Sequence, residues 1–169
     1  MIAGLIQASD GNFYGTTASG GSSTLCTFGC GTIFEITSGG TLTTLHSFDN
    51  TDGFQPYSGL LQATSGSFYG TPIAGGTGNN GTIFSLATGP VPFVEARSTS
   101  GKVGAKVILL GTNLMGAASV TFSGTEATFT VVSDSEIKTT VPNDATTGMV
   151  KVITPSGTFM SNVPFRVQP

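Results

Sequence analysis

The sequence predicts an all-β chain: propeller-blade-like β repeats over residues 1–89, then a β-sandwich over residues 90–169. Three observations carry that reading. The composition suits strands and turns, the first half matches itself, and the pattern changes around residues 89–92.

Composition comes first. Gly accounts for 25 of 169 residues, about twice the usual share of about 7%. Charged residues make up 9%, against about 25% in ordinary domains. Thr and Ser fill much of the remainder. β-Branched side chains favour a pleated surface and Gly favours tight turns, while good helix formers are few. No long stretch has apolar residues at helical spacing.

The self-match gives the architecture of the first half. Residues 4–16 recur at 59–71, a shift of 55, and Gly31-Thr32-Ile33-Phe34 recurs as Gly81-Thr82-Ile83-Phe84, a shift of 50. The first copy therefore holds five extra residues, placed around Cys26 to Cys30. Self-similarity at this period marks a repeat architecture. Strands are predicted over residues 5–8, 12–17, 32–37, 42–48, 58–63, 67–73 and 82–87. Ser9-Asp10-Gly11 and Ser65-Gly66-Ser67 stand where tight hairpin turns belong. About four strands per unit of about 50 residues is the size of a propeller blade.

Those words also carry a resemblance. Gly-Leu-Leu-Gln-Ala, Phe-Tyr-Gly-Thr, Gly-Gly, Gly-Thr-Ile-Phe and Asp-Gly-Phe-Gln-Pro-Tyr, in order over residues 2–88, resemble the GloVer tandem repeat of bacterial extracellular proteins. The resemblance implies a secreted or cell-surface location and no named catalytic activity. Fewer than two complete repeats are present, whereas about three are needed for a stable array and about four for a ring. Strand edges without charge invite pairing. The expectation is that copies of the same chain, in a homo-oligomer, or flanking repeats complete this half. Repeat sequence begins directly after Met1, which implies a chain that starts inside a longer array or carries an engineered first residue. No signal peptide is visible.

The second half begins after Gly89-Pro90-Val91-Pro92, a short stiff linker. Seven short alternating strands in about 80 residues read as an immunoglobulin-like sandwich. Val120/Phe122, Phe129/Val131 and Val150/Val152 place apolar groups on one face of their strands. Gly-Thr-Asn-Leu, Val-Thr-Phe-Ser-Gly, Ser-Asp-Ser-Glu-Ile and Thr-Pro-Ser-Gly, in order, resemble the IPT/TIG family over residues 90–168. That resemblance implies an extracellular spacer or interaction domain.

Charge excludes two partner classes. All six Lys and Arg lie between Arg97 and Arg166. A first half without basic side chains cannot neutralise phosphates or dock on anionic lipid. The sandwich, with six scattered basic residues, lacks the basic patch of DNA-binding relatives. Nucleic acid is excluded as a partner. So is membrane insertion, since no apolar run reaches about 18 residues.

Four candidate sites remain. Cys26-Thr27-Phe28-Gly29-Cys30 reads as a local disulfide pinning the inserted residues, in keeping with an oxidising compartment. A zinc site would need a fourth ligand beyond these two Cys and the sole His46. Asp49-Asn50-Thr51-Asp52-Gly53 offers hard oxygen donors, with Asp49 and Asp52 as candidate ligands for Ca²⁺; the competing reading is an Asx-type turn. No other cofactor is expected. Tyr14, Tyr57, Tyr69 and Phe54 are candidates to stack on sugars, with packing as the alternative. No residue is assigned a catalytic role. The expected function is a non-catalytic extracellular module for adhesion, display or glycan binding, with a polysaccharide as candidate ligand. The rivals are a self-assembling ring or filament subunit and an enzyme acting on polysaccharide through Asp10, Glu35, Asp49 or Asp52.

Overall fold

The computed structural model describes residues 3–87 and 92–169. Residues 89–91 of the expected linker lie outside them. The chain divides into two compact units, Met1–Pro90 and Val91–Pro169. All regular elements among the described residues are strands.

The first unit holds seven strands: β1 (Ile6–Gln7), β2 (Phe13–Thr17), β3 (Thr32–Ile36), β4 (Leu42–Ser47), β5 (Leu61–Gln62), β6 (Phe68–Gly70) and β7 (Phe84–Leu86). They form two antiparallel meanders, β1-β2-β3-β4 and β5-β6-β7. The registers repeat pair by pair. Tyr14 faces Glu35 and Gly15 faces Phe34 in the first sheet; Tyr69 faces Ser85 and Gly70 faces Phe84 in the second. The hairpins repeat as well. Gly11 (φ 86) and Gly66 (φ 90) take the left-handed position, and each amide donates to the carbonyl three residues back, of Ala8 and Ala63, at 2.9 and 2.8 Å. Inside each sheet Gly admits an aromatic ring: a Cβ at Gly15 would lie 2.8 Å from Phe34 Cζ, and one at Gly70 2.5 Å from Phe84 Cζ.

The second sheet is shorter than predicted. Residues 58–63 yield only Leu61–Gln62, and residues 67–73 only Phe68–Gly70. Pro72 stands where the first copy has Thr17, the last residue of β2. Proline has no N–H for the ladder, so β6 stops early. Three strands are found among the described residues of this copy, the number predicted for it, against about four in a propeller blade, and the two sheets do not form a ring.

The sheets are held together by side chains from both copies. Ala8, Tyr14 and Phe68 form one buried cluster, flanked by Ile6, Leu45, Leu60 and Leu86. Cys30, Ile33 and Phe48 form another, flanked by Phe54, Leu60 and Phe84. The Tyr14 and Phe68 rings lie 4.3 Å apart, and Phe48 meets Phe84 at 5.2 Å. Burying a side chain of this size contributes about 1.5–3 kcal/mol. A bulge opposite Ile33 and Phe34 makes Leu45 the extra residue of β4. Polar groups join the copies too: Gln62 Oε1 accepts from the Ser9 amide at 3.1 Å, and the Thr16 hydroxyl donates to the Pro56 carbonyl at 2.9 Å.

The second unit is a sandwich of ten short strands, three more than the sequence pattern predicted: β8 (Glu95–Ala96), β9 (Ser100–Lys102), β10 (Lys106–Leu110), β11 (Ser119–Phe122), β12 (Thr125–Glu126), β13 (Phe129–Ser133), β14 (Glu136–Thr140), β15 (Val150–Thr154), β16 (Gly157–Met160) and β17 (Arg166–Gln168). Two four-stranded sheets, β13-β14-β10-β8 and β12-β11-β15-β16, are joined by a parallel β17-β9 pair. Period-2 alternation puts Val120, Phe122, Val150 and Val152 in the core, all fully buried, with Phe129 and Val131 packed against it. Phe122 meets Phe165 edge-on at 5.1 Å. The Gly-Thr-Asn-Leu word is locked to the Ser-Asp-Ser word. Asn113, at φ 58, donates its amide to Asp134 Oδ2, and the amide of fully buried Leu114 donates to the Asp134 carbonyl.

Candidate functional site

The five inserted residues build a surface feature that the second copy lacks. Cys26 and Cys30 are disulfide-bonded. Cys30 is fully buried, its carbonyl accepting from the Gln55 amide at 3.0 Å, so one end of the loop is anchored in the core. The other end stands out. Phe28 is 81% exposed and Leu25 69%. The Gly20 amide donates to the Phe28 carbonyl at 2.6 Å, which fixes the loop tip against the preceding turn. Asn50, Phe54 and Gln55 come up opposite. Together these residues line an open concavity of about 400 Å³ with no charged side chain in its wall.

The segment facing the loop is held in an uncommon conformation. Asn50 and Gln55 lie at φ 71 and φ 54. Asn tolerates that region; for Gln it costs about 1–3 kcal/mol and persists only when the surroundings impose it. They do so here. The Gln55 carbonyl accepts from the Ile73 amide, and Phe54 exchanges both backbone bonds with Ala74. Neither the Asn50 nor the Gln55 side-chain amide makes a hydrogen bond among the described residues. The strained segment therefore presents two amides with donor and acceptor capacity beside an exposed ring.

The other predicted residues are dispersed. Tyr14 is 2% exposed and cannot stack on a ligand, a correction to the sequence reading. It packs on Phe68 and donates its hydroxyl to Asp10 Oδ2 at 2.8 Å and Glu35 Oε1 at 3.2 Å. Burial first, then these two carboxylates, hold its phenol far above the usual tyrosine range. Asp10 and Glu35 are thus bridged by Tyr14 and by the Asn12 amide. Tyr57 is half-buried and does not line the concavity; Tyr69 is 40% exposed on the outer face of the second sheet. Phe54 alone of the four aromatics is in the concavity.

Asp49 and Asp52 close an Asx-type turn. Asp49 Oδ1 accepts from the Thr51 hydroxyl at 2.6 Å and from the amides of Thr51 and Asp52. Those bonds, the hydroxyl first, keep the Asp49 carboxyl below its usual range. Asp52 Oδ1 accepts from the Asp49 amide, and Asp52 Oδ2 meets His46 Nε2 at 2.6 Å. The His46–Asp52 pair ties β4 to the loop that follows it. Among the described residues no three His, Cys, Asp or Glu side chains gather into a group that could hold a metal ion. No helix among them is long and apolar enough to cross a membrane.

Sequence comparison agrees with this construction. The Gloeobacter/Verrucomicrobia repeat matches residues 1–125. The chain belongs to that repeat family. The IPT/TIG domain matches residues 92–167, so the repeat is followed by a TIG domain. No curated protein matches the chain. Among solved structures, a fungal alcohol oxidase of the AA5 family, in complex with copper, is similar at 13% identity and TM-score 0.37, over 98% of this chain and 42% of that one. SGBP-B from a complex xyloglucan utilization locus in Bacteroides uniformis is similar at 14% identity and TM-score 0.36, over 92% and 44%. The chain spans less than half the length of either.

The sequence pattern points to neither Phe28 nor Gln55, and to Asn50 only within the Asp49–Gly53 loop. One signal was available. The insertion that holds Phe28 is present in one copy and absent from the other, so repeat packing does not require it.

Proposed function

We propose that this chain is a non-catalytic binding module of a secreted or surface-attached bacterial protein, and that the concavity beside the disulfide loop takes a neutral glycan. One observation supports this above others: Phe28 is 81% exposed on a loop closed by the Cys26–Cys30 disulfide, within an insertion the other repeat folds without. A fixed aromatic ring can stack on the apolar face of a sugar at low entropic cost. The amides of Asn50 and Gln55 stand ready for the hydroxyl groups. An uncharged wall favours neutral sugars over acidic ones. The disulfide is in keeping with an oxidising compartment. The module works within a larger assembly, completed by further repeats or by copies of itself, with the TIG domain as spacer or interaction partner.

Retention of the full chain on a panel of insoluble polysaccharides tests the reading. Wild type is expected to bind at least one neutral polysaccharide, and Phe28→Ala, at an exposed position, to bind it about 10-fold or more weaker. Gln55→Gly is expected to weaken binding while relieving backbone strain. Undiminished retention of both variants, or no retention of wild type on any polysaccharide, refutes a glycan site here.

A further inference from the structure

The internal repeat leaves uncovered parts of both halves of an interface that the chain already contains in complete form. On the covering side Leu5 is exposed and Phe13 half-buried, while Phe34 is 7% exposed. Tyr14 and Ile33 of the first copy are 2% and 1% exposed. They are covered by Phe68, Leu60, Phe84 and Leu86 of the second copy. By sequence, the counterparts of Tyr14 and Ile33 are Tyr69, which keeps the register, and Ile83, which stands one residue before β7; these are 40% and 81% exposed. The covering face has counterparts too. Leu60 and Phe68 correspond to Leu5 and Phe13, and Leu5 is 43% exposed. Leu5 and Leu60 also hold the same place within their sheets, each against the interior glycine, Gly15 or Gly70.

We infer that a second copy of this chain occupies the exposed face of the second repeat. Tyr69 and Ile83 of one copy pack on Leu5 and Phe13 of the next, as Tyr14 and Ile33 pack on Leu60 and Phe68 within a copy. The occupant follows from continuity with the internal interface: Leu5, Phe13, Tyr69 and Ile83 repeat the residue types of Leu60, Phe68, Tyr14 and Ile33, and the two Phe-Tyr-Gly strands pair with their neighbours in the same register. Asp10 and Glu35 flank Tyr14, whereas Ser65 and Ser85 hold those places around Tyr69, so the repeated contact adds no carboxylate against the covering face. The contact is heterologous, one face against a different face, and it propagates into a closed ring or an open filament. This inference rests on the assembly part of the reading above and is independent of the glycan site.

Light scattering and sedimentation of the full chain test it, with Ile83→Asp blocking one face and Leu5→Asp the other. Wild type is expected to self-associate as concentration rises. Each variant alone is expected to be monomeric, with association on the order of 100-fold weaker, because a carboxylate would be buried unpaired. The two variants mixed are expected to form a one-to-one pair, since each keeps the face the other has lost; a pair also proves that both fold. A wild type that stays monomeric at its highest soluble concentration overturns the inference. So does self-association of either variant alone, or a mixture that fails to pair. Polysaccharide retention by a monomeric wild type would leave the glycan reading standing while this one falls.

Discussion

Tyr14 and Tyr69 occupy the same word, the same strand and the same register, yet one is core and the other surface. The neighbours make the difference. Tyr14 has Phe68 over its ring and two carboxylates at its hydroxyl; Tyr69 has Ser65 and Ser85 at the corresponding places. Ile33 and Ile83 repeat the lesson at 1% and 81% exposure. A local pattern fixes which side of a strand a residue takes. Whether that side is buried depends on what is stacked against it.

The largest expected effect breaks the pair apart. Tyr14→Ala should cost about 3–5 kcal/mol in denaturant unfolding, because it empties a closed cluster between the sheets. Tyr69→Ala, measured on dilute protein, should stay within about 0.5 kcal/mol. Equal losses would mean that the exposed copy is buried in solution by something else.

A smaller effect shows what the copies share. Gly15→Ala and Gly70→Ala each push a methyl against the facing Phe ring and the covering Leu. Both should cost about 1–3 kcal/mol, by similar amounts, because this interlock lies within each sheet. A loss confined to Gly15→Ala would show that the second sheet is too loosely formed to feel the clash.

The smallest effect is a pH dependence expected from the buried Tyr14. The folded state holds the Tyr14 proton well above the point near pH 10 where the phenol ionises in the unfolded chain. Its contribution is therefore complete below about pH 10 and declines as pH rises further, by about 1.4 kcal/mol per unit. Tyr14→Phe should remove that part of the slope in unfolding experiments between about pH 10 and 11. An unchanged slope would mean that the hydroxyl is not shielded as described.

Much of this fold was legible in the residues. Seven strands of the repeat half, its hairpin turns and the alternation of the sandwich follow from period-2 patterning and glycine placement, and all appear close to where they were read. The shortening of the second sheet was visible in principle, since Pro72 replaces Thr17. The site was far less legible. Phe13-Tyr14 and Phe68-Tyr69 look equally able to stack on a sugar, and nothing local says which ring a distant sheet will cover. Phe28, Asn50 and Gln55 are separated by up to 27 residues, counted from Phe28 to Gln55, and line one concavity where the Gln55 amide bonds to the Cys30 carbonyl and Phe54 packs on the Cys30 cluster. The His46–Asp52 contact depends likewise on a tight turn that brings a loop carboxylate back to its own strand.

The interlock of Leu5, Gly15 and Phe34 is duplicated in Leu60, Gly70 and Phe84, but in the second copy Leu60 and Phe84 also pack on the first. Each kernel is thus closed by its own glycine, and the second one doubles as the seam between the copies. Loss of the first copy would strip that seam and leave the second kernel open on one side. A deletion of a single residue within the second would destroy kernel and seam at once.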